Sequence, residues 1–149
     1  MAIARGAGTE IIRSAHFEYV AGNTTAQSLI IGVQHHIYTV LSIICFAKGG
    51  CDGLEMFLDG YDAVEGTSAQ GVNFCKIGAT SINETFVWND KFSFNGYEPT
   101  DFAGPLDDAV KQDAIADQGS SVATKLKVQK AHNNDQWEIL VTYIDQNNA

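Results

Sequence analysis

Apolar and polar residues alternate with a period of two along most of this chain, the signature of strands that bury one face against a core. The clearest case is the stretch Lys125–Asp145. There Leu126 and Val128 alternate with polar neighbours, and a polar run, His132-Asn133-Asn134-Asp135, follows. Trp137, Ile139, Val141 and Tyr143 then fall on one face, with Leu140 and Ile144 on the other. This pattern predicts a terminal hairpin closing a sandwich. Glu10–Val20 and Gln27–Val33 read as two earlier strands. His36–Ala47 is β-branched and aromatic with apolar residues on both faces, which predicts a central strand or one covered by a neighbour. After the turn at Lys48–Gly53, Leu54–Asp59 reads as the return strand and the glycine-bearing Gly60–Gly71 as a loop. Val72–Ile77, Asn83–Trp88 and Lys91–Phe94 complete the set, the last two around Asn89-Asp90. Eight or nine short strands separated by polar turns predict an all-β fold, an antiparallel β-sandwich of jelly-roll or immunoglobulin-like type.

Two segments depart from the alternation. Residues 1–9 are small and glycine-bearing and predict a flexible N-terminal arm. Residues 97–123 predict an acidic insertion that is partly helical. Gly104-Pro105-Leu106-Asp107-Asp108 suits a helix start, with proline at the first helical position and carboxylates at the positive end, and Gly119 suits its end. Leu106 and Val110 share a helical face, which Ile115 does not continue. With 149 residues there is length for one core, so residues 1–149 are read as one domain.

Charge narrows the possible partners. The formal net charge is −9, and the insertion holds more than half of it, with six carboxylates against one lysine. An acidic chain is unsuited to nucleic acid, where basic side chains must displace counterions, and to an anionic membrane surface. No apolar run approaches the ~18 residues of a membrane span. The first nine residues lack the apolar core of a signal peptide, so a cytoplasmic site of synthesis and folding is expected. The N-x-T triplets at Asn23 and Asn83 then carry no consequence.

Candidate chemistry changes the picture little. Cys45, Cys51 and Cys75 are an odd count without metal-binding spacing, and Cys45 and Cys75 lie in apolar runs that predict buried free thiols. His35 and His36 are adjacent and would face opposite ways in a strand, while His16 and His132 are isolated in sequence, so no zinc set is expected. Asp59-Gly60-Tyr61-Asp62 and Asp107-Asp108 are the nearest approaches to calcium ligands, and neither has the D-x-[DN]-x-[DN]-G spacing. There is no nucleophile elbow, phosphate loop or dinucleotide fingerprint. The reading is therefore a non-enzyme with no catalytic residue, no metal and no cofactor. Exposed aromatics could still bind a partner. Of Trp88, Trp137, Tyr61 and Tyr97, Trp137 opens an apolar core face, whereas Tyr61 and Tyr97 fall in predicted loops. Those two, with Arg5 in the arm, are the candidate partner-binding residues.

Three blocks taken in order carry a family likeness. They are Ile37–Ala47 with its glycine-rich turn and the strand Leu54–Asp59, then Ile82–Phe94, then Leu126–Ala131 through Val141–Asp145. The arrangement resembles the small β-sandwich virion proteins of tailed bacteriophages, over about two-thirds of the chain. The acidic insertion and the residues before Glu10 depart from that pattern. The resemblance implies a virion structural protein without catalytic residues. It points most closely to a capsid decoration, or cement, protein, assembled in the host cytoplasm as a homo-oligomer (a dimer or trimer) and partnered with the major capsid protein. The arm is then expected to reach a neighbouring subunit. A tail, neck or baseplate component of the same virion is a second reading, and a carbohydrate-binding adhesion module using Tyr61 and Tyr97 a third.

Overall fold

The computed structural model of the chain describes residues 9–62, 69–97 and 123–147. They form nine strands: β1 (Thr9–Tyr19), β2 (Gln27–Ile31), β3 (His36–Ala47), β4 (Leu54–Asp62), β5 (Ala69–Ile77), β6 (Thr85–Trp88), β7 (Phe92–Asn95), β8 (Lys125–Lys130) and β9 (Trp137–Asn147). All pairings are antiparallel. One sheet has the order β1-β9-β3-β6, with β7 also on β3, and the other the order β2-β8-β4-β5. The predicted all-β, two-sheet architecture is the one found, and no helix occurs among the described residues. The predicted helix, most of the acidic insertion and the arm apart from Thr9 lie outside them.

The core forms where the alternation of the two sheets meets. From the first sheet come Trp137, Ile139 and Val141 of β9 with Val40, Ile43 and Cys45 of β3. From the second come Leu126 and Val128 of β8 with Leu54 and Met56 of β4. All are buried. Aromatic rings close one side: Phe74 of β5 packs on Trp88 and Phe92 at centroid distances of 5.5 and 4.9 Å. Phe94 stacks on Tyr38 at 5.4 Å. β6 and β7 do not pair with one another. They pair with successive lengths of β3, as an edge strand interrupted at Asn89–Lys91.

The expected terminal hairpin is not formed. β8 pairs with β2 and β4, β9 pairs with β1 and β3, and the turn between them carries the chain from one sheet to the other. The reason is packing. Leu126 and Val128 fill the core from one side while Trp137 and Ile139 fill it from the opposite side, which strands of a single hairpin cannot do. Backbone groups in such a crossing lie outside any ladder and need other partners. Lys130, 2% exposed, donates to the carbonyls of Val20 (2.7 Å), Asn133 (3.0 Å) and Asp135 (3.1 Å). Its ammonium stands 5.2 Å from the Tyr19 ring centroid. The buried Asp135 carboxylate accepts the amides of Asp52 (3.0 Å) and Gly53 (3.3 Å), tying in the β3–β4 turn. That turn is a second correction. β4 is not a return strand beside β3, because it lies in the opposite sheet.

A third correction concerns Gly60–Gly71, read as a loop. β4 continues to Asp62 and β5 begins at Ala69, so Tyr61 is a strand residue opposite Gln70. Gly60 marks a bulge rather than a turn. It has φ +100°, and a Cβ there would stand 2.3 Å from the Ala123 carbonyl oxygen.

Candidate interaction surface

The outward side chains of the two sheets differ. On the β2-β8-β4-β5 sheet two lysine–carboxylate pairs surround Phe57, and Ile31 is 60% exposed opposite Lys125. Glu55 lies opposite Lys76 and pairs with it at 3.0 Å, and Lys127 pairs with Asp59 at 2.8 Å. The Lys127 hydrogen bond holds the Asp59 carboxyl below its ordinary value, against a smaller opposing effect of partial burial.

On the β1-β9-β3-β6 sheet, register places Val87, Ile44, Leu140 and His16 in one row across four strands. Val87 is 51% exposed and Ile44 and Leu140 37% each. His16, Ile44 and Leu140, with Phe46, Glu138 and Ile139, line a shallow depression of about 200 Å³. The next row, Ser14, Thr142 and Ser42, is entirely hydroxyl-bearing, and beyond it Ile12 faces Ile144. One end of the face is ionic. Glu18 lies directly opposite Glu138, and Lys48 bridges them, hydrogen-bonded to Glu18 and 3.9 Å from Glu138. That bond lowers the Glu18 carboxyl below its ordinary value. An antiparallel sheet with one face in solvent ordinarily alternates apolar-in with polar-out. The contiguous apolar row on the outside of this sheet departs from that rule.

Most candidate binding residues lie elsewhere. Arg5 is outside the described residues. Tyr61 belongs to β4 and not to a loop. Tyr97 is half-buried, and its backbone bridges to Ala123 at the base of the insertion. Trp137 is fully buried, as its alternation predicts, and Trp88 is half-buried in the aromatic cluster with its indole N–H donating to the Asp90 carbonyl at 2.8 Å. Reading single aromatics in loops thus misses the apolar outer row. The available signal is the second apolar face of β3 together with Leu140 on β9.

The histidines separate. His35 lies in the turn before β3 with φ 66°, while the Nδ1 of His36 is 2.6 Å from the Asp145 carboxylate. Arg13 donates to the other oxygen of Asp145 at 3.0 Å, so one buried carboxylate joins β1, β3 and β9. Nearby, the Tyr38 hydroxyl accepts the Val33 amide at 3.0 Å, and burial, with the Asp145 charge, pushes its phenol up to about 12. His132, isolated in sequence, is brought beside Asp52 and Asp135, with one ligand atom of each within 4.8 Å of the others. Two carboxylates and an imidazole suit a borderline divalent cation. The turn itself employs two of these groups, because backbone amides bind Asp135 and the Asn134 amide donates to His132 Nδ1. Cys45 and Cys51 are buried and Cys75 half-buried, all as free thiols. Burial, then the neighbouring Cys75, pushes the Cys45 thiol up to about 12.

No protein-family model matches the chain. No curated protein matches it either. Among solved structures, a chain described under "Bacillus endospore appendages form a novel family of disulfide-linked pili" is similar at 10% identity. The match has a TM-score of 0.45 and covers 100% of this chain and 97% of that one. A chain from infectious bursal disease virus, Gx strain, is similar at 8% identity and TM-score 0.45, over 95% of this chain and 33% of its own. A chain of the Gt strain is similar at 8% identity and TM-score 0.39, over 93% of this chain and 33% of its own. This chain therefore spans about a third of the length of the two viral chains.

Proposed function

We propose that the protein is a structural component of a bacteriophage virion, and specifically a capsid decoration protein that ties neighbouring subunits of the major capsid protein together. The observation that carries the reading is the exposed apolar row Val87–Ile44–Leu140 on the outer face of the β1-β9-β3-β6 sheet. A row of that kind gains free energy by being covered, and an apolar face with an ionic end gives both area and register to a protein–protein contact. The order of the strand blocks resembles phage virion sandwiches, and the net charge of −9 suits a protein that stays clear of packaged DNA. The role is non-catalytic and needs no cofactor. Repetition around a shell multiplies a modest contact by avidity. The test is copy number and position in purified particles, by quantitative gel densitometry beside cryo-electron microscopy. Hundreds of copies distributed over the shell are expected. A dozen copies at the tail or neck would move the same sandwich to that junction, and absence from particles would overturn the virion reading.

A further inference from the structure

The sheet edges in this molecule are not equally protected. β2 has five residues and a register shift against β8. β5 has nine residues, and its pairing with β4 is shifted twice. β6 and β7 have four residues each. Shortness and bulges are how native sheets stop edges from pairing with other chains. β1 has neither. It runs eleven residues, pairs with β9 residue for residue without a shift, and contains no glycine, proline or lysine. Among the described residues, nothing pairs with its other edge. At its start both faces are apolar and open: Ile11 is 48% exposed and Ile12 72%, the highest value among the exposed large hydrophobics.

We propose that this edge is completed by a second copy of the chain, β1 pairing antiparallel with β1 of the partner across a two-fold axis at Ile12. Among registers centred on residues 11 to 15, charge selects one. Across a two-fold normal to the sheet, opposed residues share a face, so only registers centred on a residue keep inner side chains inside. Centring on Arg13 sets guanidinium against guanidinium. Centring on Ser14 sets Glu10 against Glu18 twice, and like charges directly opposite are destabilising. Centring on Ala15 or Ile11 puts Ile12 against a glutamate. Centring on Ile12 sets Ile12 against its own copy, Ile11 against the stem of Arg13, and Glu10 against Ser14, with no like-charged pair. The far end of β1 stays clear of this overlap, where the Tyr19 hydroxyl donates to the Thr25 and Val128 carbonyls and fastens the strand to the other sheet. The two β1-edged sheets then become one, with both outer apolar rows on the same face. This pairing does not depend on the virion assignment.

The experiment is sedimentation equilibrium of the full chain, with Ile12→Lys and Ile12→Glu, separately and mixed. Because Ile12 is exposed, both variants should keep the wild-type circular dichroism spectrum. The expected result is a dimeric wild type and variants whose dimerisation is weaker by on the order of 100-fold, since each sets a charge against its own copy. An equimolar mixture of the two should regain the dimer, because the ammonium introduced in one variant then meets the carboxylate introduced in the other. A residue that stands close to its own copy across the interface behaves this way. A monomeric or trimeric wild type, a folded variant that still dimerises like wild type, or a mixture that stays monomeric would each overturn the proposal.

Discussion

The outer face of the β2-β8-β4-β5 sheet and that of the β1-β9-β3-β6 sheet come from the same alternation of residues, yet one sets lysine–carboxylate pairs around Phe57 and Ile31 and the other an apolar row beside a hydroxyl row. Lys127–Asp59 and Lys76–Glu55 answer charge with charge inside one molecule. Val87, Ile44 and Leu140 stay exposed on their side, with no covering layer among the described residues. The difference teaches that alternation alone states only which residues face inward. The outward set is written independently of it, and on the proposed reading it is what a capsid partner would cover.

Substitutions that exchange inside for outside should separate these roles, and the largest effect is expected at the crossing between sheets. Lys130→Met strips the donor from three carbonyls in a buried corner that also holds Asp135. It should cost about 3 kcal/mol or more in urea unfolding. If it costs no more than Lys127→Met on the same strand, the corner is not held by that ammonium.

Ile139→Ala, on the inner face of β9, should cost about 2–5 kcal/mol. Its neighbour Leu140→Ser, on the outer face, should change unfolding free energy by only about 0.5 kcal/mol while sharply reducing the copies retained on particles. Equal retention by Leu140→Ser and wild type would remove the outer row from the proposed capsid contact.

The smallest effect belongs to the lysine–carboxylate pairs. Lys127→Met should cost about 1 kcal/mol or less at neutral pH, since the pair is partly exposed. A carboxyl whose folded value is lowered contributes stability above its unfolded value and loses it as pH falls through the lowered one. The difference between wild type and Lys127→Met should therefore close as pH falls from the ordinary carboxyl value of 3.8 through the lowered value of Asp59. Urea titrations across that range check the sign. High salt should also narrow the gap at neutral pH.

The strands themselves are legible in the residues. Side-chain pattern predicts His36–Ala47 with both bounds as observed, and Trp137, Ile139 and Val141 face the core as their spacing requires. The burial of Cys45 likewise follows from its apolar run. What the pattern does not carry is pairing. Period-two alternation is the same whether two successive strands lie side by side or face each other across a core, so the β8–β9 and β3–β4 connections look like hairpins in sequence. Lys130 is one polar position among several on β8, and its burial becomes meaningful only when Val20, Asn133 and Asp135 offer it three carbonyls. Gly60 signals a turn by composition and proves to be a bulge, because the residue that excludes a side chain there, Ala123, is far away in sequence.

The sequence by itself determined that the chain forms strands, which residues of each strand face inward, and that its net charge is −9, because all three follow from side-chain identity at short range. Tertiary structure alone decided which strands share a sheet, which apolar outer residues line up into a row, and which edge was left open. Those depend on register between segments far apart in the chain, and nothing local to a strand encodes its neighbour.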